Sequence, residues 1–480
     1  MEHQRKLFQQ RGYSEDLLPK TQSQRTWKTF NYFTLWMGSV HNVPNYVMVG
    51  GFFILGLSTF SIMLAIIISA FFIAAVMVLN GAAGSKYGVP FAMILRASYG
   101  VRGALFPGLL RGGIAAIMWF GLQCYAGSLA CLILIGKIWP GFLTLGGDFT
   151  LLGLSLPGLI TFLLFWLVNV GIGFGGGKVL NKFTAILNPC IYVVFGGMAI
   201  WAISLVGLGP IFDYIPSGIQ KAENSGFLFL VVINAVVAGW AAPAVSASDF
   251  TQNAHSFREQ TLGLVVAYIL FAVAGVCIIA GASIHYGADT WNVLDIVQRW
   301  DSLFASFFAV LVILMTTIST NATGNIIPAG YQIAAIAPTK LTYKNGVLIA
   351  SIISLLICPW KLMENQDSIY LFLDIIGGML GPVIGVMMAH YFVVMRGQIN
   401  LDELYTAPGD YKYYDNGFNL TAFSVTLVAV ILSLGGKFIP FMEPLSRVSW
   451  FVGVIVAFAA YALLKKRTTA EKTGEQKVTG

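Results

Sequence analysis

Residues 36–51 read WMGSVHNVPNYVMVGG. The stretch sits inside the first long apolar segment of the chain and interrupts it with His41, Asn42, Pro44 and Asn45. Pro44 has no backbone N–H and disfavours helical geometry at Val43, so the segment is expected to unwind over residues 42–45. Backbone without helical partners persists at membrane depth only where it lines a cavity or is buried in protein. The break therefore marks the expected position of a binding site.

Composition around that stretch sets the class. The chain has 480 residues, 57% hydrophobic and 10% charged, with a mean hydropathy of +0.77, far from what a soluble domain carries. Its apolar runs are about 20 residues long, the length a helix needs to cross hydrocarbon, and they lack the short alternation of a barrel. Twelve such runs fall at 29–56, 58–80, 104–135, 152–174, 183–207, 226–248, 260–284, 302–331, 343–358, 368–394, 419–436 and 447–464. The fold class expected is an all-α integral membrane protein of twelve transmembrane helices. Twenty-two of the 28 lysines and arginines fall on the side of the N-terminus, leaving Lys137, Lys221, Arg299, Lys361, Lys437 and Arg447 on the other. That asymmetry places both termini in the cytoplasm. It also accounts for the net charge of +7 as a basic face meeting anionic lipid, with no nucleic-acid partner implied.

Residues 1–28 are polar and too charged for the start of a signal peptide, so they are expected to be a cytoplasmic segment. Residues 395–418 read as a cytoplasmic loop carrying Tyr405, Tyr411, Tyr413 and Tyr414, and residues 465–480 as a disordered cytoplasmic tail. The loop after the second span contains PFAMIL and is expected to form a short helix along the cytoplasmic surface. Cys124, Cys131, Cys190, Cys277 and Cys358 lie in or beside apolar spans without CxxC spacing and read as small hydrophobes. The run GIGFGGGK, residues 171–178, fails as a phosphate-binding loop because Ile172 and Val179 stand where glycine and a hydroxyl are needed; a turn between the fourth and fifth spans is expected.

The sixth span repeats the oddity of the first. In FLVVINAVVAGWAAPAVSASDF, Gly239, Trp240 and Pro243 interrupt an apolar helix over residues 239–243. Two broken helices at the starts of two five-span halves are the pattern of an inverted-repeat transporter, with residues 29–207 and 226–394 as the repeats and 419–464 as an addition. The third span then corresponds to the eighth. Trp119 and Gln123, four apart, share a face of the third, and the polar Gln123 needs either an interhelical partner or a ligand. In the eighth, MTTISTNATGNIIP puts Thr316, Ser319, Thr320 and Thr323 on one stripe and Asn321 and Asn325 four apart on the next. Hydroxyls beside unwound carbonyls suit sodium, although each can also bond back to its own helix.

WMGSVHNVPNY, IMWFGLQ, AGWAAP followed by SDFTQNA, STNATGN and GGMLGP together resemble the nucleobase-cation symporter family one, nearest its bacterial allantoin permeases and related to hydantoin transporters. The resemblance covers essentially the whole chain. It implies the five-plus-five inverted-repeat fold, alternating access in the bacterial inner membrane, and import of allantoin or a similar ureide ring with a cation, by a functional monomer embedded in lipid. A purine, pyrimidine or hydantoin substrate is the alternative, as is an uncoupled uniporter. Carried over by position, it places the substrate between Trp119 and Trp240, with Gln123 and Asn325 on its edges, Asn42 close by and Gly239 offering backbone. Asn321 and His41 are further substrate candidates. The implied sodium site comprises the carbonyls of Gly38, His41 and Thr316 and the hydroxyls of Ser319 and Thr320.

The chain departs from that pattern at Thr316, where hydantoin transporters carry a small apolar residue, and at His390, where relatives often carry an acid. His41 could itself carry a coupling proton, so the coupling cation is H+ or Na+. Asp374, near the outer end of the tenth span, either joins that chemistry or reaches interfacial water. In the same span Gly377, Gly378 and Gly381 suit close helix contacts or an outer gate. No cofactor is implied. An enzyme is not expected, because no cluster of acids, histidines or a nucleophile lies at one depth.

Overall fold

The computed structural model describes residues 2–256, 258–290, 292–337, 340–363, 366–406, 414 and 416–478, with side chains left out at 16, 176–186, 188, 362, 366–367 and 466–478. Tyr411, Tyr413 and the side chains of the expected tail beyond Lys465 fall outside the described residues. Among those described, eight helices are long and apolar enough to cross a bilayer, including Thr59–Asn80, Leu105–Ile138, Glu259–Tyr286, Leu303–Ile336 and Ser368–Val394. Pro440–Ser446 and Ser449–Lys465 make a ninth, bent by 86°. Val43–Leu55, Ser225–Gly239 and Tyr343–Leu356 are shorter apolar helices. Each of the twelve apolar segments is thus helical. The first and sixth fall short of a full span because they are cut in two, and the ninth because it has only 14 residues.

The first span breaks at a different place from the one its proline suggested. Thr29–Val40 ends at His41 (φ −88°, ψ 60°), Asn42 is extended (φ −116°, ψ 158°), and Val43–Phe52 is helical again. Pro44 therefore sits in the first turn of the second half, where its missing N–H costs nothing and its fixed φ favours helix. Asn42 caps that half: its Oδ1 accepts from the Asn45 N–H at 3.1 Å while its Nδ2 donates to the Ser39 carbonyl at 2.7 Å. Asn45 Nδ2 donates to the Val40 carbonyl at 2.8 Å. Two asparagine side chains thus satisfy the backbone that the break exposes.

The sixth span breaks at Trp240 (φ −102°, ψ 5°), between Ser225–Gly239 and Ala241–Val245. A second irregularity at Ser246 precedes Ala247–Thr251. The third and eighth spans each contain a π-helical stretch, Leu109–Ala115 and Ala322–Ile326, and the latter carries Asn325. Such turns widen the helix locally and re-aim side chains.

The apolar side chains form two cores. The smaller joins Ile117, Phe120 and Cys124 of the third span to Phe162 of the fourth, Ile326 and Ile333 of the eighth and Val347 of the ninth. The larger gathers the first, second, sixth, seventh and tenth spans. The glycines of the tenth span serve close packing: a Cβ on Gly377 would lie 2.8 Å from that of Ala238, and one on Gly378 would lie 2.4 Å from Leu434.

Two expectations about the connections change. The Leu156–Ile191 helix continues through Gly171–Gly175 where a turn was expected; residues 176–178 are among those whose side chains are left out. The PFAMIL segment is helical, Phe91–Tyr99, but buried rather than lying along the surface: Phe91, Met93, Leu95 and Tyr99 are shielded from solvent. Its N-terminus is capped by Asp249, whose Oδ1 accepts from the Phe91 N–H at 2.8 Å. The N-terminal segment is packed against the rest of the molecule, with Phe8 stacked on Tyr405 at 4.2 Å, Arg11 donating to the Tyr405 carbonyl at 2.7 Å and Arg25 to the Ser85 carbonyl at 2.9 Å.

Candidate functional site

A cavity opens where both broken helices meet the third and eighth spans. Trp36, Ser39, Asn42 and Asn45 line it from the first span; Gly239, Trp240 and Pro243 from the sixth, with Phe250 beyond; Trp119 and Gln123 from the third; and Thr320, Thr323, Gly324 and Asn325 from the eighth.

Six candidate substrate residues, Asn42, Trp119, Gln123, Gly239, Trp240 and Asn325, all border this one space. Trp240 is wedged between Trp36 and Tyr268, each edge-on at 5.2 and 5.1 Å, so its ring is fixed by the protein. Trp119 meets Phe372 of the tenth span edge-on at 4.9 Å. Trp119 Nε1, Gln123 Oε1 and Thr323 Oγ1 are buried, and among the described residues none of them has a hydrogen-bond partner. Orphaned polar atoms around one cavity are what a polar ligand would satisfy, since leaving them unpaired costs free energy. Neither Asn321 nor the His41 ring borders the cavity. Asn321 lies behind Asn325, accepting from its Nδ2 at 3.0 Å. The His41 ring turns away, stacked on Phe195 at 4.6 Å with Nδ1 2.9 Å from the Tyr46 hydroxyl.

Trp36, Ser39, Asn45 and Thr323 are among the wall residues beyond those inferred from sequence. A signal existed for three of them: Trp36 and Ser39 are three apart on one helical face that ends at the break, and Thr323 belongs to the hydroxyl stripe.

Beside the cavity, the structure gathers oxygens. The Thr320 hydroxyl lies 3.3 Å from the Gly38 carbonyl oxygen, 3.2 Å from that of Ser39 and 2.9 Å from that of Thr316. Ser319 Oγ is buried without a partner among the described residues, and a Cβ placed on Gly38 would lie 3.0 Å from it. His41, at the break, has left helical geometry. This set of neutral oxygens with one unsatisfied hydroxyl fits a small hard cation. No group of three or more His, Cys, Asp or Glu that could hold a transition metal occurs among the described residues. His390 lies apart, with Nδ1 2.9 Å from the Tyr461 hydroxyl. Asp374 pairs with Lys437 at 2.6 Å.

Two interrupted helices meeting at a polar cavity define a membrane carrier of the broken-helix type. Residues 19–453 match the family described as permeases for cytosine/purines, uracil, thiamine and allantoin, and the chain belongs to that family. It is 97% identical to a putative allantoin permease of Escherichia coli (strain K12), over the full length of both chains. It is 39% identical to an allantoin permease of Bacillus subtilis (strain 168), covering 94% of this chain and 93% of that one. Among solved structures it is similar to Mhp1, a nucleobase-cation-symport-1 family transporter, in a closed conformation with bromovinylhydantoin bound. The TM-score is 0.74 at 24% identity, covering 96% of each chain. The inward-facing conformation of Mhp1 matches equally well, with a TM-score of 0.74 at 23% identity, covering 96% of this chain and 94% of that one.

Proposed function

We propose that the protein is a secondary-active symporter that imports allantoin with a cation by alternating access. The observation that carries this reading is the cavity itself: indoles on facing spans and orphaned amide, hydroxyl and indole atoms around a space at the junction of two broken helices. Allantoin is a nearly flat hydantoin ring carrying a ureido arm, with N–H and C=O groups along both. Indole faces stack on such a ring, and the amides of Gln123 and Asn325 answer its donors and acceptors. Relatives whose names specify allantoin support the choice of ring.

The cation binds among the carbonyls of Gly38, His41 and Thr316 and the hydroxyls of Ser319 and Thr320. Thr320 borders both this set and the cavity, so cation and ligand order the same side chain. For the ion to drive transport it must bind one state of the carrier better than the other. The tenth span, with Phe372 against Trp119, closes over the ligand. The inner membrane is the location, the basic side faces the cytoplasm with both termini, spans one to five and six to ten form the two repeats, and one chain suffices for transport.

The test is counterflow with labelled allantoin in proteoliposomes, competed by uracil, hydantoin and purines, with and without sodium. Exchange of allantoin, resisted by uracil and purines, is expected; exchange of a nucleobase in preference to allantoin would replace the substrate. Accumulation against a gradient separates a symporter from a uniporter.

A further inference from the structure

Behind Asn325 runs a chain of buried amides that leaves the cavity. Asn325 Nδ2 donates to Asn321 Oδ1 at 3.0 Å, and Asn321 Nδ2 donates to Asn169 Oδ1 on the fourth span at 3.1 Å. Asn169 Nδ2 donates to the Phe165 carbonyl at 2.9 Å, and Asn321 Nδ2 also lies 3.3 Å from the Phe120 carbonyl. Asn169, Asn321 and Asn325 are 1%, 0% and 5% exposed. Asn169 does not border the cavity.

The sense of this chain is dictated from its far end. A backbone carbonyl can only accept, so Asn169 must turn its nitrogen toward Phe165 and its oxygen toward Asn321. Asn321, also facing the Phe120 carbonyl, must then offer nitrogen on that side and oxygen to Asn325. Asn325 is left to donate inward, and among the described residues nothing donates to its Oδ1. Turning any one amide over sets oxygen against oxygen in a buried site, which costs the desolvation of groups left unpaired.

We propose that Asn169, a positioning residue without ligand contact, fixes the Asn325 amide so that its oxygen meets the ligand. The carrier thereby selects rings that present an N–H at that edge. Gln123 Oε1, buried and unpartnered in the same wall, is a second acceptor of the same kind. The proposal deepens the substrate reading above and rests on it.

The test measures binding of labelled allantoin to the full chain in membranes, competed by 1-methylallantoin and 3-methylallantoin. In the wild type, the form methylated at the nitrogen facing Asn325 competes at least about three- to tenfold less well than allantoin, as expected for one lost hydrogen bond. Asn169→Leu leaves the sense of the Asn321 amide held only by the longer contact to the Phe120 carbonyl at 3.3 Å, so the chain turns over more readily; allantoin then loses up to the same factor while the methylated ring does not, and the ratio shrinks toward one. Exclusion by bulk alone would leave the ratio unchanged. Asn169→Asp restores the wild-type ratio, because a neutral carboxylic acid at this buried position still accepts from Asn321 and donates its O–H to the Phe165 carbonyl. If Asn169→Leu does not fold, Asn169→Ala removes the same amide without adding bulk and carries the same expectation. A folded Asn169→Leu or Asn169→Ala variant with the wild-type ratio, or an Asn169→Asp variant that behaves like it, overturns the proposal. A wild type that binds no allantoin refutes the substrate reading instead. The same variants are then read with uracil and its N-methylated forms, since the sense of the amide does not depend on which ring is carried.

Discussion

The hydroxyl of Thr320 lies 3.3 Å from the carbonyl oxygen of Gly38, so the eighth span touches the first where the first is about to lose its helix. One residue earlier, Ser319 Oγ is buried and unsatisfied. A structural hydroxyl in that position would be partnered; one kept unpartnered against its desolvation cost is accounted for by a ligand.

Ser319→Ala is accordingly expected to leave thermal stability in the absence of sodium unchanged or slightly raised, because the change removes an orphaned polar atom. In the wild type, sodium at ten times its Kd should stabilise the folded carrier by about 1.4 kcal/mol. The variant should lose most of that increment. Melting curves of the purified protein with sodium and with choline measure it, and a full sodium shift in Ser319→Ala would remove the hydroxyl from the cation site.

Asn42 performs two tasks, bordering the cavity and capping the second half of the first span. Asn42→Ala should cost about 1 kcal/mol of stability, in the range measured for lost N-caps. Asn42→Ser keeps an acceptor for the Asn45 N–H and should regain most of it. If uptake recovers with stability in Asn42→Ser, the residue serves transport through the break; if stability alone recovers, the amide touches the ligand.

Much of this arrangement was legible in the chain because it rests on residues with few alternatives. Pro44 and Gly239–Trp240 cannot continue an apolar helix quietly, and six named substrate residues on four spans border one cavity. What escaped was register. Pro44 was read as the point of unwinding, whereas helix resumes just before it, because a proline in a first helical turn and an asparagine two residues ahead form a start signal as well as a stop. His41 looked like a titratable group aimed at the site, yet side-chain direction at a break depends on packing partners far along the chain, here Phe195 and Phe271. Asn169 carried no local signal at all, since its partner Asn321 is 152 residues away.

Asp374 and Lys437 join the first half of the tenth span to the end of the eleventh at 2.6 Å, with side chains 15% and 29% exposed. An ion pair with that much access to solvent contributes up to about 1 kcal/mol. Asp374→Asn should therefore lower stability by no more than that and leave allantoin binding within about twofold of wild type, since a twofold change is only about 0.4 kcal/mol. Equilibrium binding on the variant decides the matter: a large loss of affinity would place the carboxylate in the transport cycle.

Trp119 offers the sharpest separation between stacking and hydrogen bonding. Its Nε1 is buried with no acceptor among the described residues, while its ring meets Phe372 edge-on at 4.9 Å. Trp119→Phe keeps an aromatic face and deletes the orphaned donor, so the unliganded protein should be no less stable. If the indole N–H meets a ligand carbonyl, allantoin affinity falls by about 0.5–1.5 kcal/mol, or roughly three- to tenfold. Trp119→Ala removes the face as well and should weaken binding further, by an added increment of about 0.5–1.5 kcal/mol for the lost ring contact alone. Calorimetric titration of both variants gives the two increments separately. A Trp119→Phe protein that binds as tightly as the wild type would leave the indole with stacking only, and the orphaned nitrogen would need another partner.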